Sequence, residues 1–272
     1  MTLSPSSSAP PSSVGQYETL LVEVKDSIAV ITLNRPEVRN AINATVQADL
    51  RAALAKIRTD DEIGAVILTG AGDKAFAAGA DITQLRNYSL HTGLTAAMAH
   101  LYDEVEAFEK PTIAAVNGYA LGGGCELSMA CDIRIASQRA KFGLPETTLS
   151  VLPGAGGTQR MARLIGVGRA IDMILTSRML NADEALAAGL VTHISTPEEL
   201  IGTAREIATT ILAKGPLAVR LAKLVIRSGM DADQKTGQVV ERLAQALLYT
   251  TEDKAEGADA FLAKRTPQWG AR

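Results

Sequence analysis

Two glutamates stand beside glycine-rich turns in this 272-residue chain. Glu126 follows Gly122-Gly123-Gly124-Cys125 at the start of an apolar stretch. Glu146 follows Phe142-Gly143-Leu144-Pro145, twenty positions further on (146 − 126 = 20). A carboxyl can take or give a proton, and two that share a site resist carrying two negative charges, so one keeps its proton near neutrality. Glycines at a helix start expose N–H groups with no partner inside the helix, which suits them to anions and developing negative charge. A second run of small residues, Lys74-Ala75-Phe76-Ala77-Ala78-Gly79-Ala80-Asp81, lets backbone approach a ligand closely. Each feature also has a plainer reading. Glu126 suits the helix dipole, Glu146 suits a surface loop, and the small-residue run suits a tight strand-to-helix connection capped by Asp81. Two acids in flanking glycine-rich loops, the second followed by Val151-Leu152-Pro153-Gly154-Ala155-Gly156-Gly157-Thr158-Gln159-Arg160, favour a site over two coincidences.

Other chemistries lack their residues. His91, His100 and His193 are scattered, and no His-Glu-x-x-His, Gly-x-Ser-x-Gly or Cys-x-x-Cys occurs, which speaks against a metal centre or a serine hydrolase. The glycine run lacks the spacing of a dinucleotide fingerprint and the Lys-Ser/Thr of a phosphate loop. Two cysteines, Cys125 and Cys131, are too few for a disulfide framework and read as reduced, buried thiols of a cytoplasmic protein. A net charge of −3 gives no reason to bind nucleic acid or an anionic membrane. No run of about 20 apolar residues suggests a membrane span. The Ser- and Pro-rich start reads as a disordered tail, without the features of a signal or transit peptide. Carboxylates and backbone amides are the chemical tools that remain.

The elements that must position them follow an α/β pattern. Glu18 to Val24 and Ile28 to Leu33 read as a β-hairpin around Lys25-Asp26-Ser27. Val46, Leu50, Leu54 and Ile57 recur at helical spacing, as do Leu101, Val105 and Phe108. Ala65–Thr69, Thr112–Val116 and Asp132–Ala136 are apolar strands of the kind covered on both faces. Glu126–Ala130 is helical. Strands alternate with helices to about Ile194, and helices follow: one started by Thr196-Pro197-Glu198-Glu199, then Pro216–Arg227, Thr236–Tyr249 and Glu252–Lys264.

From about Tyr17 to Trp269 the sequence resembles the crotonase (enoyl-CoA hydratase) family. The resemblance is carried by Leu33-Asn34-Arg35-Pro36, the Ala75 to Ile82 loop, Ala114 to Cys131, and Phe142 to Arg163. It implies a spiral of repeated ββα units with a C-terminal helical region that mediates trimers, often stacked as hexamers. The domains expected are a tail over 1–16, a core over 17–197 and a helical oligomerisation region over 198–272. The resemblance also implies an acyl-CoA thioester substrate and no cofactor or metal.

Position by position, the resemblance makes the N–H groups of Ala80 and Gly123 an oxyanion hole. Glu126 and Glu146 become the two catalytic acids, and Gly154 helps hold the reacting water. Ala78, Asp81 and Ile82 match CoA contacts, with Ala78 at the adenine pocket. Phe261 and Lys264 match positions that reach the CoA nucleotide from a neighbouring subunit. The expected function is hydration of a 2-enoyl-CoA to a 3-hydroxyacyl-CoA.

Departures bear on the acyl group. Leu144 stands where short-chain hydratases often carry Gln, Arg39 stands where many relatives are apolar, and the Gly-Leu-x-Glu-Thr pattern is similar to methylglutaconyl-CoA hydratases. Within the family the alternatives are that hydratase, an isomerase or a hydrolase. Outside catalysis they are an idle acyl-CoA-binding protein and an RNA binder using Arg51, Lys56 and Arg58.

Overall fold

The computed structural model describes Ser12, Ser13 and residues 15–270, so the tail expected over 1–16 falls mostly outside the described residues. Contacts divide the chain into two units, one running to Phe108 and resuming over Thr112–Arg205, the other formed by Glu109–Pro111 and Glu206 onward.

The first unit opens with β1 (Ser12–Ser13), β2 (Leu20–Lys25) and β3 (Ile28–Leu33), paired antiparallel in that order. The β2–β3 hairpin closes through Asp26 and Ser27, both at positive φ (53° and 60°). A two-residue turn with this backbone twist matches the twist of the strands it joins. Helix α1 (Ala44–Thr59) is capped by Asn43, whose side chain accepts from Val46 N at 2.9 Å. It buries Val46, Leu50, Leu54 and Ile57, the stripe expected from spacing.

From here the chain repeats one course three times. It makes a strand in a large sheet, then a short strand in a small one, then helix. The first turn is β4 (Ala65–Gly70), β5 (Ala75–Ala77) and the helices α2 (Ile82–Leu85), α3 (Leu90–Thr95) and α4 (Ala97–Glu106). The second is β6 (Thr112–Val116), β7 (Tyr119–Leu121) and α5 (Gly123–Ala130). The third is β8 (Ile133–Ser137), β9 (Lys141–Gly143), a 3-10 turn over Pro145–Leu149, α6 (Gly157–Ile165) and α7 (Val167–Thr176). Strand β10 (Leu180–Asn181), α8 (Ala182–Ala188) and β11 (His193–Ser195) complete it. The large sheet has the order β1-β2-β3-β4-β6-β8-β11 and the small one β10-β9-β7-β5. This is the expected ββα spiral. Beyond β2–β3 the large sheet is parallel, and β4 and β6 are buried at every residue, as their unbroken apolar runs require.

Register in the small sheet positions the site. Ala75 pairs with Tyr119 and Tyr119 with Lys141, while Ala77 pairs with Ala120 and Ala120 with Phe142. The three short strands therefore end side by side, and the segments that leave them (78–81, 122–126 and 144–146) emerge at one edge. Side-chain amides tie the preceding turns together. Asn117 Nδ2 donates to Gly70 O and Gly72 O (3.0 and 2.9 Å), and Asn40 Nδ2 donates to Ala75 O at 2.8 Å.

Helix α5 lies directly on β5. A Cβ on Gly124 would overlap the Ala77 carbonyl oxygen and come within 2.8 Å of the Ala77 Cβ. Backbone cannot yield as a flexible side chain would, so Gly124→Ala is expected to destabilise by about 2 kcal/mol. In a thermal unfolding scan this lowers the midpoint by about 5 °C. An unchanged midpoint would mean that α5 does not approach so closely.

The second unit is helical. Helix α9 (Leu200–Leu212) spans the division, followed by α10 (Pro216–Met230), α11 (Gln234–Leu248) and α12 (Glu252–Leu262). Thr196 and Glu199 are bonded to each other ahead of the helix. Thr196 Oγ1 accepts from Glu199 N at 3.3 Å and donates to Glu199 Oε2 at 2.9 Å, but regular helix begins only at Leu200. Near the end of the chain Trp269 Nε1 donates to Ala213 O at 3.0 Å and Gly270 N to Asp253 Oδ1 at 2.7 Å, which pins the last residues to α9 and α12.

Candidate active site

The two amides singled out from the sequence face each other across the first and second turns of the spiral. A Cβ on Gly79 would lie 3.1 Å from Leu121 O and 3.8 Å from Gly123 N, and one on Gly123 would lie 3.6 Å from Ala80 N. Several donors around them are engaged. Ala78 N donates to Arg39 O, Ile42 N to Gly79 O, Asp81 N to Ile42 O, Gly122 N to Gly143 O and Glu126 N to Gly122 O, all within 2.8–3.1 Å. Ala80 N–H and Gly123 N–H have no acceptor among the described residues. Gly122 turns the chain into α5 at φ 50°, ψ −127°, a conformation open to glycine and strained for other residues. Two fixed donors left over beside one another form a cradle for one oxygen that gains negative charge.

Both acids border this cradle. Glu126, in the first turn of α5, is 2% exposed. Its Oε1 accepts from Ala155 N at 2.8 Å and Gly157 N at 2.7 Å. Burial foremost raises its pKa above the ordinary carboxylate value, against the opposing pull of the two amides and the Arg160 charge. Glu146 approaches from the 3-10 turn after β9, with Oε1 2.8 Å from the point where a Cβ on Gly122 would sit. Its Oε2 is buried with no hydrogen-bond partner among the described residues. Burial foremost, with the Glu126 charge adding to it, pushes Glu146 up to about 7. The pair is thus unequal: one carboxylate is held by amides, and one carboxyl is poised near neutrality.

Three further residues complete the surroundings, and sequence reasoning gave them no role. The Tyr102 hydroxyl is fully buried, has no partner among the described residues and lies 3.5 Å from the position of a Gly123 Cβ. Burial, then the Glu126 charge, holds its pKa well up, so it stays a neutral donor. Met98 Sδ lies 2.9 Å from that same Cβ position. Arg160, on α6, donates to Ala155 O at 2.8 Å. A signal for Arg160 was present: it stands one helical turn after the Gly156-Gly157 pair whose backbone meets Glu126. Cys125 is buried under Glu126, and burial pushes its thiol up, leaving it unreactive.

The remaining expected positions are distributed as follows. Gly154 lies in the same turn, next to Ala155, and a Cβ there would meet only Leu152 O at 3.7 Å. Ala78 is half-buried and adjoins the cradle. Asp81 caps α2, its Oδ1 accepting from Thr83 N (3.2 Å) and Thr83 Oγ1 (2.7 Å). It also pairs with Arg35 at 3.5 Å, and the Thr83 hydroxyl foremost holds its pKa down. Ile82 is 64% exposed. Phe261, 83% exposed, and Lys264 belong to the second unit at the end of α12. Arg51 pairs with Glu104 at 3.0 Å, and Lys56 and Arg58 lie over the Tyr17 and Phe108 rings. The three basic residues of α1 thus all have intramolecular partners. Among the described residues, no group of three or more His, Cys, Asp and Glu could hold a metal ion, and no helix is long and apolar enough to cross a membrane.

An oxyanion cradle of two main-chain amides from successive turns of a ββα spiral, with two carboxyls beside it, defines a class of acyl-thioester enzymes. The model of the enoyl-CoA hydratase/isomerase family matches residues 23–272, and the chain belongs to that family, with the crotonase fold. It is 44% identical over 252 residues to a short-chain-enoyl-CoA hydratase of Clostridium acetobutylicum, covering 92% of this chain and 97% of that protein. It is 45% identical over 251 residues to a crotonyl-CoA hydratase of Syntrophomonas wolfei subsp. wolfei, covering 92% and 96%. Among solved structures, an enoyl-CoA hydratase from Bacillus anthracis superposes with a TM-score of 0.90 at 42% identity, covering 94% of this chain and all of that one.

Proposed function

We propose that this enoyl-CoA hydratase adds water across the 2,3 double bond of short-chain 2-enoyl-CoA thioesters, giving 3-hydroxyacyl-CoA. The observation that carries the reading is the juxtaposition of the free Ala80 and Gly123 amides with an unequal Glu126–Glu146 pair. The thioester carbonyl oxygen accepts from both amides. A water, helped into place by the Gly154 turn, lies between the carboxyls. Glu126, ionised, takes a proton as the water oxygen bonds to Cβ. Electron density moves through Cα onto the carbonyl oxygen, where the amides stabilise it, each by about 3 kcal/mol. Glu146, protonated, then delivers its proton to Cα. The cycle closes when the proton gained by Glu126 is returned to Glu146.

The proposal extends to the binding of CoA and to assembly. Ala78, Asp81 and Ile82 line the CoA path, and Phe261 and Lys264 reach the nucleotide from a neighbouring subunit, the Lys264 ammonium meeting a phosphate as a point charge. A homotrimer or a hexamer of two trimers is supported by apolar side chains left exposed on the C-terminal helices, among them Ile226, Met230, Leu243 and Phe261. No cofactor beyond the CoA of the substrate enters the scheme. A cytoplasmic setting is supported by two buried thiols that form no disulfide.

The test is loss of the conjugated enoyl-thioester absorbance across a panel of 2-enoyl-CoAs of increasing length and branching. We expect crotonyl-CoA to turn over with kcat/KM above about 10⁴ M⁻¹s⁻¹ and branched substrates to react more slowly. A chain that consumes none of the panel, or that releases free CoA instead, is not a hydratase.

A further inference from the structure

We propose that Arg160 is a positioning residue that keeps Glu126 ionised and correctly aimed, coupling it to two carboxylates on α4. The inference rests on Glu126 acting as the base. Arg160 is 8% exposed. Its Nη1 donates to Ala155 O at 2.8 Å, and a Cβ on Gly156, which sits at φ 92°, would overlap that same nitrogen. Its other side is clamped by Asp103 and Glu106. Nη2 donates to Asp103 Oδ1 at 2.7 Å and to Glu106 Oε2 at 2.6 Å, and Nε donates to Glu106 Oε2 at 2.9 Å.

Ala155 is therefore gripped from both sides. Its carbonyl is bound by the guanidinium, and its N–H is bound by Glu126. Gly157, the second donor to Glu126, opens the helix that carries Arg160. The turn over 155–157 has no side chains able to stiffen it, so the guanidinium supplies its rigidity. A planar fork can span a carbonyl and two carboxylates at once, which an ammonium cannot.

The arrangement has an electrostatic side as well. The Arg160 charge favours the Glu126 carboxylate, against burial. The other titratable groups that interact with Glu126 are Glu146 from the turn after β9, Tyr102 on α4 and Cys125 on α5. Asp103 and Glu106 temper the guanidinium from its far side, which makes the basicity of Glu126 a balance set by α4.

Steady-state pH profiles of Arg160→Met, Arg160→Lys and Glu106→Gln test this, beginning from a wild type active on crotonyl-CoA. Arg160→Met is expected to raise the acid-limb pKa of kcat/KM by about one unit. It should lower kcat about ten- to a hundredfold, with KM changed far less. Arg160→Lys keeps the charge and loses the fork, so kcat falls with a smaller shift of the limb. Glu106→Gln leaves the guanidinium less neutralised, so the limb moves the opposite way, to lower pH. A limb unmoved in all three, or moved upward in both Arg160→Met and Glu106→Gln, overturns the proposal in favour of packing alone. Should Arg160→Met fail to fold, the sign of the Glu106→Gln shift still decides it. An inactive wild type would refute the hydratase reading and is thus distinguishable from failure here.

Discussion

Glu126→Gln and Glu146→Gln are each expected to lower kcat for enoyl-CoA hydration by about 10²–10⁴-fold, with KM little changed. At position 126 the amide oxygen can still accept from Ala155 N and Gly157 N, so the local fold survives while the proton acceptor is lost. At position 146 the change removes the one carboxyl held near neutrality, and with it the donor to Cα. Full activity in either variant would reject the two-acid mechanism.

The wild type should show a bell-shaped profile. It falls as pH rises through about 7, where Glu146 loses its proton, and falls again in acid, where Glu126 gains one. The same group links pH to stability. The folded-state pKa of Glu146 lies above its unfolded value of 4.5, so between 4.5 and about 7 the folded protein binds more protons than the unfolded one. The contribution of Glu146 to stability therefore declines as pH rises across that window. Glu146→Gln should flatten the decline in a melting series.

Gly123→Pro is expected to lower kcat by about 10²–10³-fold, the loss typical of one missing oxyanion donor. Position 123 is the first residue of α5, where a missing N–H breaks no helical bond and proline is well tolerated. The added Cβ meets Met98 Sδ, the far end of a flexible side chain. Circular dichroism and thermal midpoint should stay near wild type, while the visible loss is in turnover. Undiminished turnover would show that the Gly123 N–H is not part of the cradle.

Much of this was legible in the sequence. Helix α1 was readable because Val46, Leu50, Leu54 and Ile57 recur at its own period, and β4 and β6 because parallel strands buried on both faces read as nearly continuous apolar runs, broken only by Thr69 and Thr112. Glu126 was visible as an acid in an apolar helix start and Glu146 as an acid in a flanking glycine-rich loop, while the pairing of the Ala80 and Gly123 amides came from the family resemblance. The small sheet was not legible. β5, β7 and β9 have three residues each, too few for a period to register, and their pairing joins residues 22 to 44 positions apart. Tyr102 and Arg160 were missed for a related reason. Tyr102 sits on a helix whose stripe reads as ordinary core, and Arg160 reads as a surface cation until Asp103 and Glu106 are brought to it through the fold.

The alignment of β5, β7 and β9 has one consequence for how such a molecule can change. In the proposed mechanism the grip on the thioester is written in main chain and in strand pairing, whereas the proton traffic is written in two replaceable side chains. Mutation at 126 or 146 can therefore retire water addition while the capacity to hold an activated acyl group stays whole. A scaffold divided in this way is free to acquire a different reaction on the same bound molecule.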